Sequence, residues 1–138
     1  MIPSPSKKDE YKKIYTEARP NLLKLAKELY IDDISDNFFL EVVIPLSDYL
    51  NSFKEKNIPY LIGLTGGQGS GKTTLSIFIQ QILKDIFKKR TVGFSIDDIY
   101  KTKEERDKAA RNIHPLCSVR GVPGTHDIEL GTNTIDSL

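Results

Sequence analysis

The sequence predicts an α/β protein: a parallel sheet covered by helices on both faces, with a helical N-terminal segment ahead of it. Three observations carry this reading. Tyr60, Leu61, Ile62 and Leu64 form a short, nearly unbroken apolar run, which suits a strand buried on both faces. A glycine-rich stretch follows it and leads into Leu75, Phe78, Ile79, Ile82, Leu83 and Ile86 at helical spacing. A second run, Thr91-Val92-Gly93-Phe94-Ser95-Ile96, alternates, is rich in β-formers, and ends in Asp97-Asp98.

The N-terminal segment comes first along the chain. Residues 1–8 are rich in Pro, Ser and Lys and are predicted to lack a fixed structure. Tyr11, Ile14 and Tyr15 share one face of a helix from Lys8 to Arg19, which Pro20 is expected to interrupt. Asn21 is the expected cap of a second helix carrying Leu22, Leu25, Ala26 and Leu29. Asp32-Asp33 marks a turn. Asp36 or Asn37 is the expected cap of a third helix, with Phe39, Val42, Val43, Leu46, Leu50 and Phe53 at helical spacing. Pro45 inside that pattern either kinks one helix or opens a new one at its first turn. Asn57 and Pro59 end the segment, so the chain divides into a helical part, 1–57, and an α/β part, 58–138. The helical part is read as a cover for the sheet or a small subdomain, with a surface for a partner as the alternative.

Gly66-Gly67-Gln68-Gly69-Ser70-Gly71-Lys72-Thr73 fits the phosphate-binding pattern GxxxxGK[ST], set between a predicted strand and a predicted helix. A polyphosphate needs many donors close together. Glycines let the backbone approach it, and the first N–H groups of the next helix lack intrahelical partners. Gly66 to Thr74 are thus the candidate nucleotide-binding residues. Lys72 brings a point charge to the outer phosphates, and the Thr73 hydroxyl is a candidate Mg²⁺ ligand. ATP and Mg²⁺ are the expected cofactors, and the fold expected is the three-layer α/β/α arrangement of P-loop NTPases.

Further along, Lys88-Lys89-Arg90 complement the dipole at the end of the nucleotide-loop helix. Thr102 and Glu105 form a capping box ahead of the charged helix KEERDKAARN. The run His114 to Asp127 is too long for a simple connection, and its prolines and glycines imply a fixed shape. Asp127 caps the final helix, with Thr125 a competing candidate. Functional groups in open parallel sheets gather at the carboxyl ends of strands, so the phosphate grip and the acidic pair are expected at one edge. Asp97 is placed to orient and deprotonate an attacking hydroxyl, and Asp98 to reach Mg²⁺. Arg120 has the planar fork that matches a carboxylate. Lys72, Asp97 and Arg120 are the candidate catalytic residues. Asp97, Tyr100, Arg120 and His126 are the candidate acceptor contacts, with His114 a weaker one.

Bulk properties bound the rest. The chain has 138 residues, 38% hydrophobic and 28% charged, with a formal net charge of +1. That charge offers no case for nucleic acid or acidic membranes as partners. Cys117 is the single cysteine, which excludes an intrachain disulfide framework. No signal peptide is legible, and no segment is long and apolar enough to span a bilayer. A cytoplasmic location is expected, with an organellar one left open; the oligomeric state is not legible. A mononucleotide-binding sheet usually has about five strands or more, whereas two are recognisable here and a second acidic strand end is missing. The chain therefore reads as the N-terminal part of a longer protein.

GLTGGQGSGKTT, FSIDDIY followed by TKEER, and HPL…RGVPGTHD together resemble the P-loop D-glycerate 3-kinases, of the uridine kinase, pantothenate kinase and phosphoribulokinase group. The resemblance covers roughly residues 60 to 138, and RGVPGTHD is its most specific part. It implies transfer of the ATP γ-phosphoryl group to a hydroxyl of D-glycerate, with Asp97 matching the acidic residue that acts on the acceptor. Ile99, where the family commonly has an aromatic residue, and Cys117-Ser118-Val119 depart from its usual wording. Two other readings stay open: a related kinase for a nucleoside, pantothenate or another small alcohol, and an ATP-binding regulatory module without catalysis.

Overall fold

The computed structural model describes residues 5–53 and 59–137. They form six α-helices: α1 (Pro5–Glu28), α2 (Asp36–Phe38), α3 (Ile44–Asn51), α4 (Lys72–Asp85), α5 (Lys103–Asn112) and α6 (Ile128–Asp136). A π-helical turn, Phe39–Val43, joins α2 to α3, and 3₁₀ turns lie at Ile96–Ile99 and Pro115–Ser118. The chain divides into two compact units, Met1–Gly93 and Phe94–Leu138.

The expected parallel sheet and its three-layer α/β/α arrangement are not formed. Among the described residues there is no strand, only an isolated antiparallel bridge between Tyr100 and His126. Residues 60–64 and 91–95 carry no regular structure, and Leu61 and Val92 are 71% and 72% exposed. The physical reason is that a strand exists by pairing. A run apolar on both faces needs hydrogen-bonded neighbours and a helical layer on each side. Among the described residues neither segment is paired with another strand.

The first unit is held by α1, the α2–α3 segment and α4. Tyr11, Tyr15, Ala18, Leu22 and Ala26 recur every three or four residues, so one face of α1 is buried from end to end. It meets Phe39, Val43 and Ile44 of the π turn and α3, and Phe78, Ile79, Ile82 and Leu83 of α4. Phe39 is the hub. Its ring stacks on Tyr15 at 5.7 Å and stands edge-on to Phe78 at 5.1 Å. Such pairs add about 0.5–1.5 kcal/mol beyond the area they bury. The N-terminal helices thus cover α4 rather than a sheet.

Three local expectations are corrected here. Pro20 does not interrupt α1, which runs through it. The ring removes one ladder bond and crowds the carbonyl four residues back, but Pro20 is exposed, while Ala18 and Leu22 on either side are buried. Continuous burial of the stripe outweighs a local defect on the solvent face. Asn21 therefore caps nothing; its amide donates to Asp85 of α4 at 2.7 Å. The α2 cap is Ser35, whose hydroxyl accepts from the Asn37 N–H, and not Asp36 or Asn37. Asp36 instead accepts from the Tyr15 hydroxyl.

Pro45 falls in the first turn of α3, directly after the π turn, so the new helix starts without a break in the rod. Chain ends of the helices are tied by polar pairs: Asp48 accepts from Lys7 and from the Tyr11 hydroxyl. Asp85 accepts from Asn21 and Gln81. Burial pushes the Asp85 carboxyl up, but those two amides with Lys84 and Lys88 together hold it below the ordinary value. The expected start of disorder, residues 1–8, is helical from Pro5; residues 1–4 and the expected terminator Asn57 lie outside the described residues.

Candidate functional site

The glycine loop and the start of α4 form the candidate phosphate site, within the first unit. Gly69 and Gly71 have φ of 74° and 79°, the left-handed region that costs glycine little and other residues more. A side chain at Gly66 would bring its Cβ to 3.0 Å from the Ser70 hydroxyl. Gly71 is the N-cap of α4, and no side chain caps that helix. The loop is exposed, with the Lys72 ammonium donating to the carbonyls of Gly66 at 2.9 Å and Gly67 at 2.7 Å. Thr73 is exposed at the first turn of α4. These features fit an anion: a helix start with unclaimed N–H groups, a backbone open to approach, and a cation on the loop.

At the far end of α4, Lys88 donates to the carbonyl of Asp85 at 2.5 Å, which is the dipole-complementing role its position suggested.

The second unit carries the acidic pair and the loop. Ser95 starts the 3₁₀ turn Ile96–Ile99 with a capping box: its hydroxyl accepts from the Asp97 N–H, and Asp98 Oδ2 accepts from the Ser95 N–H at 2.7 Å. Asp98 is thereby committed through one oxygen to its own turn. Asp97 is exposed, and its carboxylate has no hydrogen-bond or ion-pair partner among the described residues. The pair is legible in the sequence, and so is the spacing Ser95-x-x-Asp98 that ties one member down; the box was the signal that reading the stretch as a strand concealed.

Tyr100, Arg120 and His126 are brought together. Lys101 N–H donates to the Thr125 carbonyl at 2.9 Å, and Asp127 N–H to the Ile99 carbonyl at 2.7 Å, on either side of the Tyr100–His126 bridge. The bridge lays the His126 ring on Tyr100, centroids 4.1 Å apart and 25° between planes. The Arg120 guanidinium lies 5.2 Å from the Tyr100 ring centre. Such a pairing of cation and ring is worth about 0.5–1 kcal/mol at an exposed site. Gly121 and Gly124, each at φ 86°, turn the loop back, and Lys101 Nζ ties it at the Gly124 carbonyl, 3.1 Å. This is the fixed shape that the prolines and glycines predicted.

Asp127 caps α6, accepting from Leu130 N–H at 2.9 Å, while Thr125 is buried and donates to the Val122 carbonyl. Thr102 and Glu105 form the expected box, and the Thr102 hydroxyl and N–H hold the Glu105 carboxyl below its ordinary value. His114 is turned inward on its own chain, Nδ1 accepting from Leu116 N–H at 3.3 Å. The expected meeting of Lys72 and Asp97 at one sheet edge rested on two strands that do not form. Each set of residues is organised within its own unit. No group of three or more His, Cys, Asp or Glu that could hold a metal is found among the described residues. No helix among them is long and apolar enough to cross a membrane.

Comparison finds this chain similar to proteins named as kinases. It is 34% identical over 106 residues to a Schizosaccharomyces pombe protein named as the uncharacterized kinase mug58, covering 72% of this chain and 37% of that protein. It is also 34% identical over 82 residues to an Arabidopsis thaliana protein named as a chloroplastic D-glycerate 3-kinase, covering 58% of this chain and 18% of that one. The matched stretch is thus similar to part of a protein named as a D-glycerate 3-kinase and to part of an uncharacterized kinase. The chain spans well under half the length of these curated relatives. No family model and no solved structure matches.

Proposed function

We propose that this chain carries nucleotide- and acceptor-binding residues of an ATP-dependent phosphotransferase that acts on a hydroxyl of D-glycerate. One observation carries the reading: a helix start left without a side-chain cap behind a glycine loop, in a chain related to a protein named as a D-glycerate 3-kinase. The N–H groups between Gly67 and Thr74, with Lys72, are the grip for the phosphates of ATP, which supplies the transferable phosphoryl group. Lys72 exchanges the Gly66 and Gly67 carbonyls for phosphate oxygens. The Thr73 hydroxyl would hold Mg²⁺ beside the phosphates, and Asp98 keeps one oxygen uncommitted within its own unit. The ion would supply charge neutralisation there, in the manner of a metal held by one or two protein groups and phosphates.

Asp97, the carboxylate without a partner, orients the acceptor hydroxyl and takes its proton as that oxygen bonds to the γ-phosphorus and the bond from the γ-phosphorus to the bridging oxygen breaks, ADP leaving with that oxygen. Arg120 pairs with the acceptor carboxylate. Reaction of this chain with labelled ATP and a panel of D-glycerate, nucleosides and pantothenate tests the reading. Label is expected on D-glycerate, with turnover reduced about 100-fold or more in Lys72→Ala. Asp97→Asn is expected to lose turnover and keep ATP binding. Transfer to a nucleoside or pantothenate with none to glycerate would remove the acceptor assigned here. ATP binding without acceptor-dependent turnover would favour a regulatory module.

A further inference from the structure

A glycine inside a helix is destabilising relative to alanine, so one that the backbone does not require calls for another reason. Gly131 stands in the first turns of α6 and is the buried residue of that helix among the described ones. It lies outside the left-handed region that Gly121 and Gly124 occupy, so its conformation is open to any residue. What glycine supplies there is room. A Cβ at Gly131 would lie 3.0 Å from Ile99 Cδ1 and 3.9 Å from Ile99 Cγ2. The Ile99 side chain therefore lies against the backbone of α6.

Ile99 closes the 3₁₀ turn that carries Asp97. Its carbonyl accepts from Asp127 N–H at 2.7 Å, and the Asp127 carbonyl accepts in turn from Gly131 N–H at 3.1 Å. One residue thus fixes the turn to α6 twice, by a backbone hydrogen bond and by a side-chain contact. At the other end the Ser95–Asp98 box closes the turn only on itself. Ile96, the second apolar residue of the turn, is 66% exposed and gives it little hold. A single 3₁₀ turn has poorer hydrogen-bond geometry than an α-helix, so what it leans on decides where its side chains stand.

We propose that Ile99 and Gly131 are a positioning pair that sets where the Asp97 carboxylate stands. The proposal rests on the role given to Asp97 above and deepens it. Neither residue touches a reacting atom; both act through the turn. Alanine at position 131 forces Ile99 to give by a few tenths of an ångström, and the turn moves with it. A misplacement of about 1 Å can cost about 100-fold in rate, so a shift of part of that is expected to cost about 10-fold.

The test uses the whole chain and three variants: Gly131→Ala, Ile99→Val, and the two combined. Ile99→Val removes Cδ1, the atom that meets the new methyl group. NMR reads the Asp97 carboxyl carbon and the amides of Ser95 to Tyr100, and labelled ATP with D-glycerate reads kcat and KM. In Gly131→Ala the Asp97 carboxyl and the amides from Ile96 to Tyr100 are expected to shift, while those of α4 stay in place. Its kcat is expected to fall about 10-fold, with KM for ATP unchanged within about twofold. Adding Ile99→Val is expected to return the shifts toward wild type and kcat to within about threefold of it, although alanine is still present at 131. A residue that serves only the helix would give no such rescue. Unmoved Asp97 shifts in Gly131→Ala would overturn the proposal. So would a loss of kcat that Ile99→Val fails to restore, which would assign Gly131 to the fold of α6. If the wild-type chain transfers no label to D-glycerate, the acceptor reading falls, and the Asp97 shifts with their rescue still decide whether this pair places the carboxylate.

Discussion

The helix α4 and the helices of the second unit begin in different ways. Ser95, Thr102, His114 and Asp127 each turn a side chain onto the N–H groups of the helix or 3₁₀ turn that follows, so those starts satisfy themselves. Gly71 has no side chain to offer and α4 is left uncapped. The two units differ in the same sense in how they are held. The first buries a continuous apolar cluster around Phe39 and Phe78. In the second, Cys117 is the buried hydrophobic among the described residues, and Ile113 and Ile128 are 78% and 69% exposed. A large core holds α4 in place without a side-chain cap at its start. Where little is buried, caps and turns must define the backbone, and few helix ends are left over. The lesson is that an unsatisfied helix start is informative only where packing holds the helix.

The sharpest way to break this comparison is through the core. Phe78→Ala is expected to cost about 3–5 kcal/mol of stability. Hydrogen exchange should show protection lost across α1 and α4, while the amides of α5 and α6 change little. Loss of both together would show that the second unit depends on the first core.

Pro20→Ala should act in the opposite direction. It restores a ladder bond on the exposed face of α1 and is expected to stabilise the first unit by up to about 3 kcal/mol, read from the denaturant midpoint. No gain would mean that the ring pays for itself in the unfolded chain.

Asp127→Ala should cost about 1 kcal/mol by removing the cap of α6, seen as faster exchange near its start at Leu130. The corresponding change at α4, Gly71→Ser, is expected to give no such gain, because Gly71 sits at φ 79° where a side chain is strained.

The smallest effect is electrostatic. Glu105 is held below its ordinary value of 4.5 by Thr102, so its contribution is present above that pH and is lost as pH falls through the depressed value. The first turn of α5 should fray on that acid side, and Glu105→Gln should remove the pH dependence while keeping the reach-back to Thr102. Exchange at Arg106 across the acid range would read it.

Much of the candidate site was legible because it depends on near neighbours in the chain. The spacing Gly66-x-x-x-x-Gly71-Lys72-Thr73 dictates a loop and a helix start, and Thr102-x-x-Glu105 and Asp127 dictate caps. All of these close within a few residues, and the structure has them where the spacing put them. The apolar stripe of α4 was equally legible, since helical periodicity is a local property. What the sequence could not settle was any feature decided by a distant partner. Whether 60–64 and 91–96 become strands depends on neighbours to bond with. Whether Pro20 breaks α1 depends on the face that Tyr11 to Ala26 bury. The stacking of His126 on Tyr100 under Arg120 depends on the backbone bridge that brings residues 100 and 126 together. Short-range hydrogen bonding is written in residue spacing, whereas pairing and burial are properties of the folded chain, and only the tertiary structure decided them.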